Sequence, residues 1–137
     1  MAFKLIKGKT RIEWLPVTAS TALSADSLVE FTSGFLAAAD DNEAAADIIG
    51  VLVKAIASTD DDYADARKVA VRIPVEKFTI WEADTADTYV AATHRGVECG
   101  IVDSTNLDLD DTTNDAFRVI DGSGTKVRGY LKVQGAY

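Results

Sequence analysis

Along this chain, apolar and polar residues trade places at every second position in a series of short runs. In "KVAVRI" (residues 68–73), Val69, Val71 and Ile73 share one side while Lys68 and Arg72 take the other. A period of two is the signature of a strand with one buried face. "RIEWLPV" (11–17) groups Ile12 with Trp14, "EKFTIW" (76–81) groups Phe78 with Ile80, and "GVECGIV" (96–102) aligns Val97, Cys99 and Ile101. "KVRGYLKV" (126–133) sets Val127, Gly129, Leu131 and Val133 against Lys126, Arg128, Tyr130 and Lys132. "FRVI" (117–120) is a further short strand. "DGSG" (121–124) then predicts a hairpin in which Gly122 and Gly124 take positive φ. "HRG" (94–96) is another turn, with His94 in it. Pro16 and Pro74 close alternating runs and, lacking an N–H, mark strand ends or edges.

Two stretches break the pattern. "FLAAADDNEAAADIIG" (35–50) reads as two strands joined by an acidic turn at 40–42, with "IIGVLVKAIA" resuming as strand. Its alanines keep a short helix over 37–49 as the alternative. "STNLDLDDTTNDAF" (104–117) is too long and polar for a tight turn and reads as an exposed excursion. Closely spaced short strands predict an all-β fold, or β with one short helix: a small antiparallel barrel or sandwich. Residues 1–12 read as a basic arm or first strand and 13–137 as a single β-rich domain.

Composition narrows the class. The 137 residues are 47% apolar, enough for one folded core. No apolar run approaches the roughly 20 residues of a membrane span, and no apolar signal core follows the basic start. The chain is therefore expected to be made and kept in the cytoplasm unless something larger carries it out. With one cysteine, Cys99, and one histidine, His94, neither an internal disulfide nor a Cys- or His-rich metal site is available. The net charge of −8 is unevenly spread. Residues 1–12 hold Lys4, Lys7, Lys9 and Arg11 and no acid, while all 22 acids lie beyond them. Such an acidic body repels phosphate backbones and argues against nucleic acid as a partner.

Candidate chemistry is thin. The acidic run "STDDDYAD" (58–65) fails the calcium-loop template: counted from Asp60, Ala64 falls at position 5, Asp65 at 6 and Val71 at 12. Counting from Asn106 places Asp108 and Asp110 correctly but Asp111 at 6 and Phe117 at 12. Loops 60–65 and 103–115 therefore read as solvated tips, with irregular cation binding left open. Glu13 and Glu98 lie in strands but point outward, so a buried carboxylate pair for acid–base work is not expected. Cys99 sits on an apolar face, as a small core hydrophobe does. No phosphate-cradling or nucleophile motif occurs. Trp14, Trp81, Tyr89 and Tyr130 are candidate sugar platforms, though core residues are the commoner use of such rings.

The order of features carries a resemblance. "IEWLPVTASTALSADSLVEF", then Gly34, "AAADIIGVLVKAIASTDDDYADARKVAVRIP" and "FTIWEADTADTY" resemble the small head-decoration (cement) proteins of tailed bacteriophages over most of residues 11–90. The residues that match are the "WLPV" run, the "DIIGV" strand, the acidic "DDDYA" turn and the strand ending in Pro74. The resemblance implies a compact barrel or β-tulip domain on the outside of an assembled capsid. Its partner would be the major capsid protein of a phage head, and it would often be a homotrimer. It also implies an extended N-terminal contact arm, here Met1, Ala2, Phe3, Lys4, Leu5, Ile6, Lys7, Lys9 and Arg11.

The expected function is therefore non-enzymatic: a virion protein on the outer capsid surface, assembled in the host cytoplasm, with no cofactor, metal, nucleic acid or membrane. Deleting residues 1–11 should leave the fold intact and abolish capsid binding. Two alternatives remain. One is a carbohydrate- or surface-binding module using Trp81, Tyr89 and the acidic loops, with calcium assisting. The other is an enzyme built on His94 and Cys99.

Overall fold

A computed structural model describes residues 2–40 and 47–133, and its described residues form eleven strands and one short helix. Five strands close into a barrel in the order β2-β4-β3-β5-β6. They are β2 (Thr10–Val17), β3 (Leu28–Thr32), β4 (Phe35–Ala38), β5 (Ile48–Leu52) and β6 (Arg67–Pro74). The other six form a sheet in the order β1-β7-β11-β10-β8-β9. These are β1 (Phe3–Lys7), β7 (Ile80–Asp84), β8 (Glu98–Asp103), β9 (Asn106–Asp108), β10 (Phe117–Ser123) and β11 (Lys126–Leu131). The helix α1 (Ala91–His94) is a single turn between β7 and β8. The all-β barrel class expected from alternation is the class the chain adopts.

A two-stranded ribbon ties the barrel to the sheet. β2 pairs with β6 along its whole length, from Thr10 opposite Pro74 to Val17 opposite Arg67. The same two chain segments continue into the sheet as β1 against β7, with Phe3 opposite Ala83 and Lys7 opposite Ile80. Between the two ladders, the Val75 N–H donates to the Lys9 carbonyl at 3.2 Å. Buried residues from both halves, among them Phe3, Leu28, Leu52, Trp81, Phe117 and Leu131, make one hydrophobic cluster.

Alternation located the strands and, in most, the inward face. Val71 and Ile73 in β6, Cys99 and Ile101 in β8, and Val127, Gly129 and Leu131 in β11 are all buried, and so is Val133 just beyond β11. β10 and β11 form the expected hairpin, and Gly124 has φ 61. Gly122 does not share the turn. It lies inside β10, where a Cβ would come within 2.8 Å of the Lys126 carbonyl oxygen. Strands β4 and β5 occupy the two ends of the ambiguous 35–50 stretch, and residues 41–46, on which the choice between turn and helix falls, lie outside the described residues.

Three expectations are corrected. First, of the two readings of the leading segment, the first strand holds and the extended contact arm does not. Ala2 and Phe3 are core residues, Phe3 being 1% exposed, and β1 is hydrogen-bonded into the sheet. The charge pattern suggested an arm because Lys4, Lys7 and Lys9 are exposed, but they stand on a paired strand. Second, 104–117 is not an exposed excursion. β9 pairs with β8 and buries Leu107, and Leu109, Ala116 and Phe117 are also buried. Third, Phe78 is 65% exposed in the turn before β7, where the inward set is Thr79, Trp81 and Ala83.

Candidate functional site

On β2 the period of two holds but its phase is reversed. Val17 is buried and Leu15 packs against the core, whereas Ile12 and Trp14 project outward, 42% and 64% exposed. Their cross-strand partners on β6 are Arg72 and Ala70, and Pro16 faces Lys68. The outer barrel face thus carries an indole and a branched apolar chain on a rigid ladder, beside cations. A hollow of about 450 Å³ lies against Trp14, with Lys54, Lys68 and Ala70 on one side and Asp60, Asp61 and Asp62 on another. Exposed aromatic residues beside positive charge are the composition of protein-docking surfaces.

The acidic loop at the rim of this hollow is held by its own contacts. Asp60 Oδ2 accepts the Ala57 N–H at 2.9 Å, and Arg67 lies 3.3 Å from Asp62 Oδ2 and 3.6 Å from Asp60 Oδ2. Arg67 also donates to the Asp62 carbonyl at 2.7 Å. Tyr63 pins the loop by donating its hydroxyl to the Ser20 carbonyl at 2.9 Å. Two of the aspartates are therefore spent on closing a turn around one arginine. Among the described residues, no group of three or more His, Cys, Asp or Glu side chains is placed to hold a metal.

His94 and Cys99 do not act on each other. His94 is buried in α1, its Nδ1 accepting the Val90 N–H at 3.0 Å, so its proton sits on Nε2, 3.1 Å from Asp110 Oδ1. Cys99 is fully buried. Desolvation, reinforced by Asp108, Asp111, Asp115 and Asp87, pushes its thiol up to about 12. Since the thiolate is the nucleophile, alkylation of native protein by iodoacetamide near pH 8 should be at least about a hundredfold slower than for the unfolded chain. Mass spectrometry checks this, and prompt labelling of the native protein would contradict the burial.

Two of the candidate sugar platforms take the core placement that is the commoner use of such rings. Trp81 is 1% exposed and Tyr89 packs against the core, so neither offers a ring face. Phe78 and Tyr130 instead meet edge to face at 5.3 Å at the mouth of a groove of about 600 Å³. Glu98 spans that groove between Lys132 and Arg118, and hydrogen bonds from these two, Lys132 foremost, hold its carboxyl below the usual range despite desolvation. Desolvation, then the nearby Glu98, raises Asp115, whose Oδ1 is buried without a partner. This is a self-neutralised ion-pair cluster.

Of the residues expected to form the contact surface, Lys4, Lys7, Lys9 and Arg11 are exposed, Leu5 and Ile6 are half-buried, Ala2 and Phe3 are buried, and Met1 lies outside the described residues. The sequence carried a signal for the outer face, since Ile12 and Trp14 were grouped together, but not for its side. No protein-family model matches the chain, and no curated protein matches it in sequence.

Proposed function

We propose that this is a non-enzymatic virion protein that binds the outer surface of an assembled phage capsid and stabilises it. Its docking face is the outer side of the barrel around Ile12 and Trp14. The observation that carries the reading is Trp14, 64% exposed on a strand whose every residue is paired with β6. A large apolar ring held rigidly in water is costly unless a partner covers it. Lys54 and Lys68 rim the hollow against Trp14 and supply the charge that steers encounter. The resemblance to cement proteins supplies the partner, the major capsid protein, and a trimeric arrangement around a lattice axis. A protein that binds only the assembled shell stabilises it by mass action, and symmetric copies multiply modest contacts.

Co-sedimentation with purified capsids tests this. Wild type should pellet with the shells, and Trp14→Ala should bind at least about tenfold more weakly, as truncation of a central aromatic anchor does. Raising ionic strength from about 0.05 M to about 0.5 M should weaken binding through screening of the lysines. Equal pelleting of wild type and Trp14→Ala would remove the docking face.

A further inference from the structure

We propose that β2 is a strand-addition site: its free edge takes an extended segment of a partner protein as a further barrel strand. The two prolines of the chain fix the phase of the β2/β6 ladder. In an antiparallel ladder, opposed residues alternate between pairs that exchange both hydrogen bonds and pairs that exchange none. Pro16 lies opposite Lys68 and Pro74 opposite Thr10, and neither proline has an N–H to give. Both pairs are therefore of the second kind, and since the register runs without a shift, so are Ile12–Arg72 and Trp14–Ala70. The Ala70 carbonyl agrees independently, because it accepts the Val53 N–H at 3.1 Å on its other side. The main-chain N–H and C=O groups of Ile12 and Trp14 thus point away from β6. On that side β4 meets β2 only at Val17, and among the described residues no backbone group bonds to Ile12 or Trp14 there.

Strand β1, one edge of the six-stranded sheet, is protected differently. On β1 the Phe3 N–H already donates to the Asp26 carbonyl at 3.0 Å, and Lys4 and Lys7 stand along the strand as edge lysines do. β2 instead presents main chain that no described residue pairs, beside an exposed indole, the combination that strand-adding peptides use: backbone for affinity, a side-chain contact for choice. The occupant is a segment with an apolar residue over Trp14 and an acidic residue toward Lys54 and Lys68, which line the hollow against Trp14. A second copy of this chain fits less well, because two bodies of net charge −8 repel. That the partner belongs to a capsid rests on the reading above; the free edge does not.

The test compares Ile12→Pro with Ile12→Val. Proline deletes the outward N–H without touching a β6 bond, and valine keeps the N–H at similar size. Binding is measured to purified capsids and, by amide NMR, to a blocked eight-residue peptide alternating valine with glutamate. Ile12→Pro should lose about fivefold or more in affinity, one hydrogen bond's worth, and Ile12→Val less than about twofold. In wild type, the Ile12 and Trp14 amides should shift and exchange more slowly with solvent when the probe binds, a readout that stands even if Ile12→Pro fails to fold. Equal losses in the two variants, or probe binding that leaves those amides unchanged, would overturn strand addition. Peptide binding without capsid binding would keep the edge and defeat the capsid reading. A dimer that Ile12→Pro dissociates, seen by sedimentation, would replace the partner segment with a second copy.

Discussion

Removing residues 1–7 should leave a chain that does not fold. β1 is not an appendage: it pairs with β7, buries Phe3 with Ala2 just before it, and ties down the end of β7 and the loop at Asp26, the Asp84 N–H bonding the Ala2 carbonyl and the Phe3 N–H the Asp26 carbonyl, each at 3.0 Å. Truncating Phe3 alone to alanine should cost about 3–5 kcal/mol, as for other buried phenylalanines. A domain of this size holds only about 5–15 kcal/mol in total. Losing the whole strand removes the ladder as well and strips cover from Trp81. Circular dichroism should show the truncated chain without a cooperative melt, and Phe3→Ala melting roughly 10–20 °C below wild type. Lys4→Ser with Lys7→Ser, which alters the charge but not the core, should stay within about 1 kcal/mol of wild type. A truncated protein with an unchanged melt would restore the arm and undo the fold assignment at its first strand.

Gly129→Ala should be the most damaging single-methyl change in the molecule. Gly129 is buried at the centre of the sheet, opposite Trp81 on one side and Val119 on the other. A Cβ there would overlap the Arg118 carbonyl oxygen and lie 2.6 Å from Phe117 Cε1. The first of these neighbours is backbone and cannot swing aside, so β10 and β11 must part. Overpacking of this kind costs about 3 kcal/mol or more. Gly124, at φ 61 in the hairpin, is the comparison: a Cβ there meets nothing within 4 Å. Gly124→Ala should cost only the left-handed backbone strain, about 1–2 kcal/mol. Urea titration of both variants orders the two effects, and a reversed order would mean that the sheet yields at Gly129.

Strand existence was legible because alternation is a local property, but the side that faces inward is a tertiary one. β11 gave both, since its polar positions carry Lys126 and Arg128, which no core accepts. β2 gave only the period. Its inward set begins with Glu13, half-buried near the barrel mouth and paired with Arg11 at 3.3 Å, so size and polarity pointed the wrong way. Trp14 stands outward while Val17, Val71 and Leu36 are buried. The buried stretch from 107 to 109 was hidden because its two leucines are separated by an aspartate, Asp108, and Leu107 finds its place only against β8 and Thr85. The prolines were read correctly as edge markers, yet what they reveal about β2 needed the register opposite Lys68 and Thr10. The basic leader was legible as charge and not as structure: three lysines say nothing about the phenylalanine among them.

The ribbon joining barrel and sheet has a consequence for biosynthesis. β1 and β2 leave the ribosome well before their pairing partners, residues 80–83 and 67–74, which come roughly fifty to eighty residues later, and β7 is itself flanked by the still later β11. Nascent chains dominated by such distant pairings assemble slowly and in one late step. Until then Phe3 and an unpaired β2 stand open to water and to neighbouring chains. Translation speed and chaperone capacity will therefore govern the yield of folded protein more than the stability of the finished barrel does.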